Sequence, residues 1–192
     1  MKSKIVRKTR ETSVILEINL RGKGKYRINT GIPFFDHMLE LFAMHGGFNL
    51  NVQAGGDTGI DDHHLTEDVG ITLGQALKKA FGNKKGIKRY GNFLMPMDEA
   101  LSYIVIDISS RPYLEYNAKF NRPDFGKFDY TLLEDFFRAV VSNAGITMHV
   151  NVIKGKSSHH TAESIFKGFG KALSEAVSPG KVNRVPSTKG RI

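Results

Sequence analysis

Residues 61–68 read Asp61-Asp62-His63-His64-Leu65-Thr66-Glu67-Asp68, and residues 157–164 read Ser157-Ser158-His159-His160-Thr161-Ala162-Glu163-Ser164. Each stretch holds a histidine pair with a glutamate three residues after the second histidine. Four of the chain's seven histidines sit in these two places. Each stretch follows a glycine-containing turn and opens an amphipathic run with helical spacing. The recurrence predicts two copies of one unit, each bringing half of a metal site.

Working outward from the motifs, the flanks also match. Gly47-Phe48-Asn49-Leu50-Asn51-Val52 aligns with Gly145-Ile146-Thr147-Met148-His149-Val150. Further upstream, Asp36-His37-Met38-Leu39 aligns with Glu134-Asp135-Phe136-Phe137. Both halves run in the order hairpin strands, helix, glycine, strand, glycine loop, His-His-x-x-Glu, helix. Self-similarity of this kind marks an internal duplication.

The elements follow from local pattern. Residues 3–20 alternate and are rich in β-formers, and Gly22-Lys23-Gly24 predicts a hairpin turn into a strand over 25–28. Glu11 falls at a strand start, where local sequence reads it as a solvated carboxylate. Pro33 opens a helix with an apolar stripe of Phe34, Phe35, Met38, Leu39, Leu41 and Phe42, stopped at Gly46-Gly47. His37 and His45 lie on it or at its end, and either alone reads as a structural histidine. A strand over 48–54, a Gly-rich loop over 55–60, a helix to about Phe81 and a basic loop over 82–89 complete the first half. The second half shows strands from Phe93, a buried strand over 101–108, and a turn and strand over 111–116. A helix over 132–141 with Phe136-Phe137 on its face, a strand over 146–153 and a last helix carrying Ile165, Phe166, Phe169, Leu173 and Val177 follow. Residues 178–192 show no periodicity, a composition that reads as disordered.

The 192 residues suffice for one large domain with a real core. No apolar run is long enough to span a membrane. The basic N-terminus lacks the apolar segment of a secretory leader. Cysteine is absent, which removes disulfides and thiolate ligands and suits the cytoplasm. The formal charge of +9 suits an anionic partner. Apart from residues 84–89 and the tail, the cations are scattered and little interleaved with aromatics, which disfavours nucleic acid.

On a helix either histidine of a pair can share a face with the glutamate, while adjacent histidines diverge by about 100°. Adjacent histidines therefore reach different ions more easily than one. Two facing motifs suggest two metals, and an imidazole and carboxylate set without thiolate suits Mn, Fe, Zn or Co; six or more such ligands favour an octahedral ion such as Mn²⁺. This is not the His-Glu-x-x-His order of zinc proteases. The residues alone point to a metal enzyme acting on an anionic substrate, and do not give the reaction.

Further segments occur in a telling order: Asp36-His37-Met38-Leu39, His45-Gly46, the first His-His-x-x-Glu, Met97-Asp98-Glu99-Ala100, Ser110-Arg111-Pro112-Tyr113, the second His-His-x-x-Glu, and Pro186-Ser187-Thr188-Lys189-Gly190. With them the chain closely resembles imidazoleglycerol-phosphate dehydratases of histidine biosynthesis over essentially its whole length. The resemblance implies an α+β fold of the ribosomal protein S5 domain 2-like kind. That fold has two tandem βα repeats, with a helical layer between two four-stranded mixed sheets. It implies one domain over 1–192, with repeats 1–90 and 91–178 and a substrate-binding tail 179–192. It implies a 24-subunit homo-oligomer with sites at subunit contacts, two Mn²⁺ per active site, and no membrane partner.

The implied reaction removes water from imidazole glycerol phosphate to give imidazole acetol phosphate, through a metal-bound imidazolate and a diazafulvene. It joins Lewis-acid and template use of a metal to general-base catalysis. Carried over residue by residue, the implied metal ligands are His37, His63, His64, Glu67, His159, His160 and Glu163. Asp135 stands at an eighth position that is histidine in many members and carboxylate in some. The implied catalytic residues are Glu11 as the base and His45 and Asp98 beside the glycerol. Glu11, His37 and His45 also touch substrate, and Arg89, Arg111, Lys167, Ser187, Thr188 and Lys189 match the phosphate set. Two other classes remain from the residues alone. One is a dinuclear hydrolase of phosphate esters, marked by phosphate release from simple esters. The other is a metal store or nucleic-acid binder, marked by salt-steep binding.

Overall fold

The computed structural model describes residues 1–56, 62–120, 124–125 and 128–192. The Gly-rich loop expected over 55–60 lies outside the described residues from 57 onward, as does Asp61 of the first motif.

The first half runs β1 (Lys2–Lys8), β2 (Thr12–Asn19), β3 (Tyr26–Asn29), α1 (Pro33–Gly46), β4 (Asn49–Gly56) and α2 (His63–Phe81). The second runs β5 (Tyr90–Met97), β6 (Ala100–Asp107), β7 (Tyr113–Asn117), the short ribbon β8 (Asp124–Phe125) and β9 (Phe128–Asp129), α3 (Leu132–Ala144), β10 (Thr147–Lys154) and α4 (Ser158–Val177). The sheets are β1-β2-β4-β3 and β5-β6-β10-β7, so the strand order is the same in both halves. Each sheet is antiparallel except for its last pair, β3 with β4 and β7 with β10.

Period-two alternation sets which side of each strand faces in. Val14, Leu16 and Ile18 of β2 are buried while Ser13 and Ile15 are exposed. Ile104 and Ile106 of β6 and Met148 and Val150 of β10 repeat this on the second sheet. The helix stops also match. Gly47 and Gly145 adopt left-handed φ of 68° and 67°, and their N–H groups close α1 and α3 on Met44 and Val141. Only glycine takes that backbone without strain.

One pairing differs from the sequence expectation. The hairpin is β1 with β2, closed at residues 9–11, and Glu11 lies in its turn. After Gly22-Lys23-Gly24 the chain does not fold back onto β2. It crosses the sheet end, where Lys23 and Lys25 N–H donate to Asn49 Oδ1, and β3 pairs with β4 in parallel. Both edges of β2 are taken, by β1 and β4. A parallel β3–α1–β4 crossover also places the apolar stripe of α1 on the inner face of the sheet.

The four helices fill the space between the sheets. α2 packs on β1 and β2 and α1 on β3, while α4 packs on β5 and β6 and α3 on β7. Across the middle, α1 pairs with α4 and α2 with α3, so each helix takes its partner from the other half. Aromatic rings fill the seam: Phe42 of α1 stacks on Phe169 of α4 at 4.6 Å, and Phe35 of α1 meets Phe136 of α3 edge-on at 5.2 Å. Each such ring buries a large apolar area and dominates local packing energy. A Cβ on Gly170 would stand 2.6 Å from the Phe42 carbonyl, and one on Gly74 2.6 Å from the Val140 carbonyl. Glycine at these places lets the paired helix backbones approach.

The tail is folded back rather than free. Pro179 bridges Ile87, Gly180 N–H donates to the Gly86 carbonyl, and Gly86 N–H donates to Arg184. Among the described residues, no helix is long and apolar enough to cross a membrane.

Candidate active site

α4 begins at the second motif. Ser157 caps it, its Oγ accepting from His160 N–H at 3.3 Å. One turn in, His159 Nε2 lies 2.9 Å from Glu163 Oε1, the i, i+4 spacing at work. His37 of α1 brings its Nε2 to 3.2 Å from the same oxygen. These three ligand atoms lie within 4.8 Å of one another, and among the described residues this is the one such group of three. The other oxygen, Oε2, accepts from Lys167 Nζ at 2.6 Å. Burial works to raise the Glu163 pKa, but hydrogen bonds from Lys167 and His37, the Lys167 charge and the His159 bond outweigh it and hold the carboxyl at about 2.

His160 points elsewhere. Its Nδ1 is 2.8 Å from Glu99 Oε2 and 3.9 Å from Asp98 Oδ2, both in the β5–β6 turn. The bond to Glu99 raises the His160 pKa, and the same bond with one from Ser157 N–H holds Glu99 at about 2. The rings of His159 and His160 stand 6.2 Å apart at 83°, the divergence expected of neighbours on a helix. His45, in the last turn of α1, has its pKa lowered by burial and then by Lys167 and Lys171.

The first motif makes the matching cluster at the start of α2. His63 Nδ1 is 4.0 Å from Asp135 Oδ2 of α3, and His64 Nδ1 is 3.5 Å from Glu11 Oε2 in the β1–β2 turn. Asp135 therefore stands to His63 as His37 stands to His159, and Glu11 holds the turn position of Asp98 and Glu99. Glu67 is exposed. Behind the cluster, Asp68 is 8% exposed, ion-paired with Arg7 at 2.8 Å, and accepts from Thr12 Oγ1. Those bonds tie the turn that carries Glu11 to the helix that carries His64. The side chains of His37, His63, His64 and His159 are 38–51% exposed, so both clusters open on the surface.

A third region is cationic. Arg89 Nε and Nη2 donate to the two oxygens of Asp107 at 2.7 and 3.1 Å, and Nη1 donates to the Pro186 carbonyl at 3.0 Å. Arg111 Nη2 lies 3.7 Å from Asp107 Oδ2. With Lys85, Tyr90 and residues 182–192 these arginines line a cleft of about 1300 Å³, which includes Ser187, Thr188 and Lys189. Lys84, Arg89, Asp98 and Ser110 all have φ between 48° and 78° without being glycine. Strained backbone of this kind concentrates at functional sites.

Of the residues singled out in the sequence, His37, His159 and Glu163 converge, with Lys167 beside them. His63, Asp135, His64 and Glu11 form a second group. Arg89, Arg111, Ser187, Thr188 and Lys189 share the cleft, and Lys167 is not among its lining residues. Two acids were missed. Glu99 was visible only as part of Met97-Asp98-Glu99-Ala100, and Asp107 only as a carboxylate closing an apolar strand ahead of Ser-Ser-Arg-Pro.

Residues 30–173 match the family model for imidazoleglycerol-phosphate dehydratase. An imidazoleglycerol-phosphate dehydratase of Endomicrobium trichonymphae is 57% identical over 190 residues, covering 98% of this chain and 97% of that protein. One from Desulfotalea psychrophila is 54% identical over 189 residues, covering 98% and 95%. The crystal structure of the Staphylococcus aureus subsp. aureus N315 enzyme superposes with a TM-score of 0.85 at 43% identity, covering 94% of this chain and all of that one. The Pyrococcus furiosus enzyme in complex with (S)-C348 gives 0.85 at 37% identity, covering 98% and 100%.

Proposed function

The chain belongs to the imidazoleglycerol-phosphate dehydratase family and is a hydro-lyase of histidine biosynthesis; from that premise we propose that it works with two Mn²⁺ ions per site, held between copies of itself. The observation that carries this reading is the convergence of His37, His159 and Glu163 on one point. The nitrogen and oxygen donors there, without sulfur, fit a hard or borderline divalent ion. In the trio Glu163 Oε1 faces both histidines while Lys167 takes Oε2, so the donor atoms already point together.

His37, His159 and Glu163 would hold one ion, with His160 turned toward another. His63, His64, Glu67 and Asp135 form the equivalent half-site. When bound, the ions supply Lewis acidity at the imidazole of the substrate and fix its position. The hydroxyl on the carbon next to the imidazole leaves first, Glu11 then takes the proton that this makes acidic on the adjacent carbon, and the net loss of water gives an enol that becomes the ketone. The turn of Glu11 is held by Asp68 through Thr12 and Arg7, which fixes the backbone from which the carboxylate projects. His45 and Asp98 orient the glycerol chain. Arg89, Arg111, Ser187, Thr188 and Lys189 take the phosphate, where arginine forks give charge-assisted bonds.

Each cluster opens at the surface and holds only part of the ligand set. That supports assembly in which one copy's α2 cluster meets another's α4 cluster, in a closed 24-subunit shell. The chain forms one domain of repeats 1–90 and 91–178 with the tail 179–192, and acts in the cytoplasm.

The test is a dehydratase assay with and without EDTA, then with Mn²⁺ restored, alongside light scattering. Activity that vanishes and returns with Mn²⁺, with particle mass falling on chelation, is the expected result. Full activity in metal-stripped protein would overturn the metal reading. Unchanged mass on metal removal would place the sites within one chain.

A further inference from the structure

Asp107 closes β6, and its carboxylate is surrounded by cations. Arg89 binds it through two hydrogen bonds, Arg111 stands 3.7 Å away, and Lys84 donates to the hydroxyl of Ser110, the residue before Arg111. One carboxylate among three cations leaves a local excess of positive charge, which suits an anion. Arg89 uses three of its five N–H donors, two on Asp107 and one on the Pro186 carbonyl. One N–H on each terminal nitrogen remains to donate to a phosphate oxygen. The carbonyl of Pro186 precedes Ser187, Thr188 and Lys189, so the same guanidinium also fixes where the tail crosses the cleft. The Arg89 side chain is 11% exposed and that of Asp107 19%, so the pair is held in a low-dielectric setting with little freedom to reorient.

We propose that Asp107 is a positioning residue for phosphate recognition: it aims Arg89 and Arg111 into the cleft and, through Arg89, docks the segment 186–189 against the same anion. This rests on the reading that the cleft takes the substrate phosphate. Two effects oppose each other. A carboxylate close to a phosphate dianion repels it, so neutralising Asp107 removes a cost. It also frees two arginines and the tail, and loss of a fixed clamp weakens binding more, because a displacement of about 1 Å in a positioning contact can cost about 10²-fold.

The experiment is steady-state kinetics of Asp107→Asn with Mn²⁺ present, with inorganic phosphate as a competing anion and a thermal melt as a check on folding. The expected result is a KM raised about tenfold or more, phosphate inhibition weakened in the same proportion, and kcat lowered less than about threefold. A purely structural role would lower kcat and KM behaviour together or only the melt. If Asp107→Asn does not fold, Asp107→Glu is read by the same criteria, since it keeps the charge but displaces the guanidinium. KM and phosphate inhibition at the wild-type values, or improved, overturn the assignment of Asp107. Arg111→Ala separates this from the reading beneath it: if that variant leaves KM and phosphate inhibition unchanged, the cleft is not the phosphate site at all.

Discussion

Gly170→Ala connects packing to chemistry in one substitution. The added Cβ would meet the Phe42 carbonyl at 2.6 Å, Gly46 N at 2.9 Å and Gly46 Cα at 3.3 Å. All three are backbone atoms of α1 and cannot rotate aside. Ordinary contact begins near 3.4 Å, so α1 and α4 must part by several tenths of an ångström. Overpacking of this kind costs about 1–3 kcal/mol. Alanine recovers up to about 1 kcal/mol of helix propensity over glycine. The net expectation is a loss of about 1–2 kcal/mol, which at this chain length lowers Tm by about 2–8 °C. The displacement also enters the donor trio, because α1 carries His37 while α4 carries His159 and Glu163. Metal–ligand distances tolerate about 0.2 Å, so Mn²⁺ affinity should fall at least about tenfold. Thermal melting and calorimetric Mn²⁺ titration read the two effects. Gly55→Ala is the control, since nothing lies within 4 Å of its Cβ and its φ is not left-handed. A Gly170→Ala protein that melts and binds Mn²⁺ like the parent would refute the rigid coupling of helix spacing to the donor set.

Glu11→Gln should lower kcat by about 10²–10⁴-fold while Mn²⁺ content by elemental analysis stays at the parent level; parallel loss of metal would make Glu11 a ligand instead of the base. Asp135→Ala should lower the Mn²⁺ held per chain and Asp135→His should restore it, and equal metal content in all three proteins would remove Asp135 from the ligand set. Tyr116 carries a hydroxyl that is buried with no hydrogen-bond partner among the described residues, and burial drives its pKa up. The folded phenol therefore stays protonated above pH 10 where the unfolded one ionises, so its contribution is intact below about pH 10 and is lost as pH rises further. Tyr116→Phe should leave neutral-pH stability equal or slightly higher and flatten the alkaline fall in urea midpoint; an unchanged fall would refute the raised pKa, and lower stability at neutral pH would mean the hydroxyl is satisfied.

The duplicated core was legible because its signals are local. Pro33, Gly47, Gly145 and the two His-His-x-x-Glu motifs each mark a helix end with a residue whose backbone or charge preference is strong. The pairing of β3 was not legible. Its residues say strand, but its partner β4 begins some 20 residues later, across a whole helix, and no nearest-neighbour pattern names a parallel partner. The ribbon β8–β9 has two residues in each strand, too few to show a period. In the site, the second motif placed His159 and Glu163 together, since i, i+4 spacing on one helix fixes which atoms meet. The same spacing joins Glu163 to Lys167, which the family resemblance assigns to the phosphate. Asp107 and Glu99 escaped because their partners, Arg89 and His160, come from other elements and meet them only in three dimensions.

The exchange of helix partners between the halves governs how the chain can be divided. Neither half closes its own core: α1 needs α4 and α2 needs α3, contacts that join residues far apart in sequence. High contact order slows folding, and two halves that share one core lose it together. Unfolding of a subunit should therefore appear as one transition rather than two. A chain severed in the 82–89 loop should give fragments that aggregate alone, each with a bare aromatic seam, yet recover one another when refolded as a mixture.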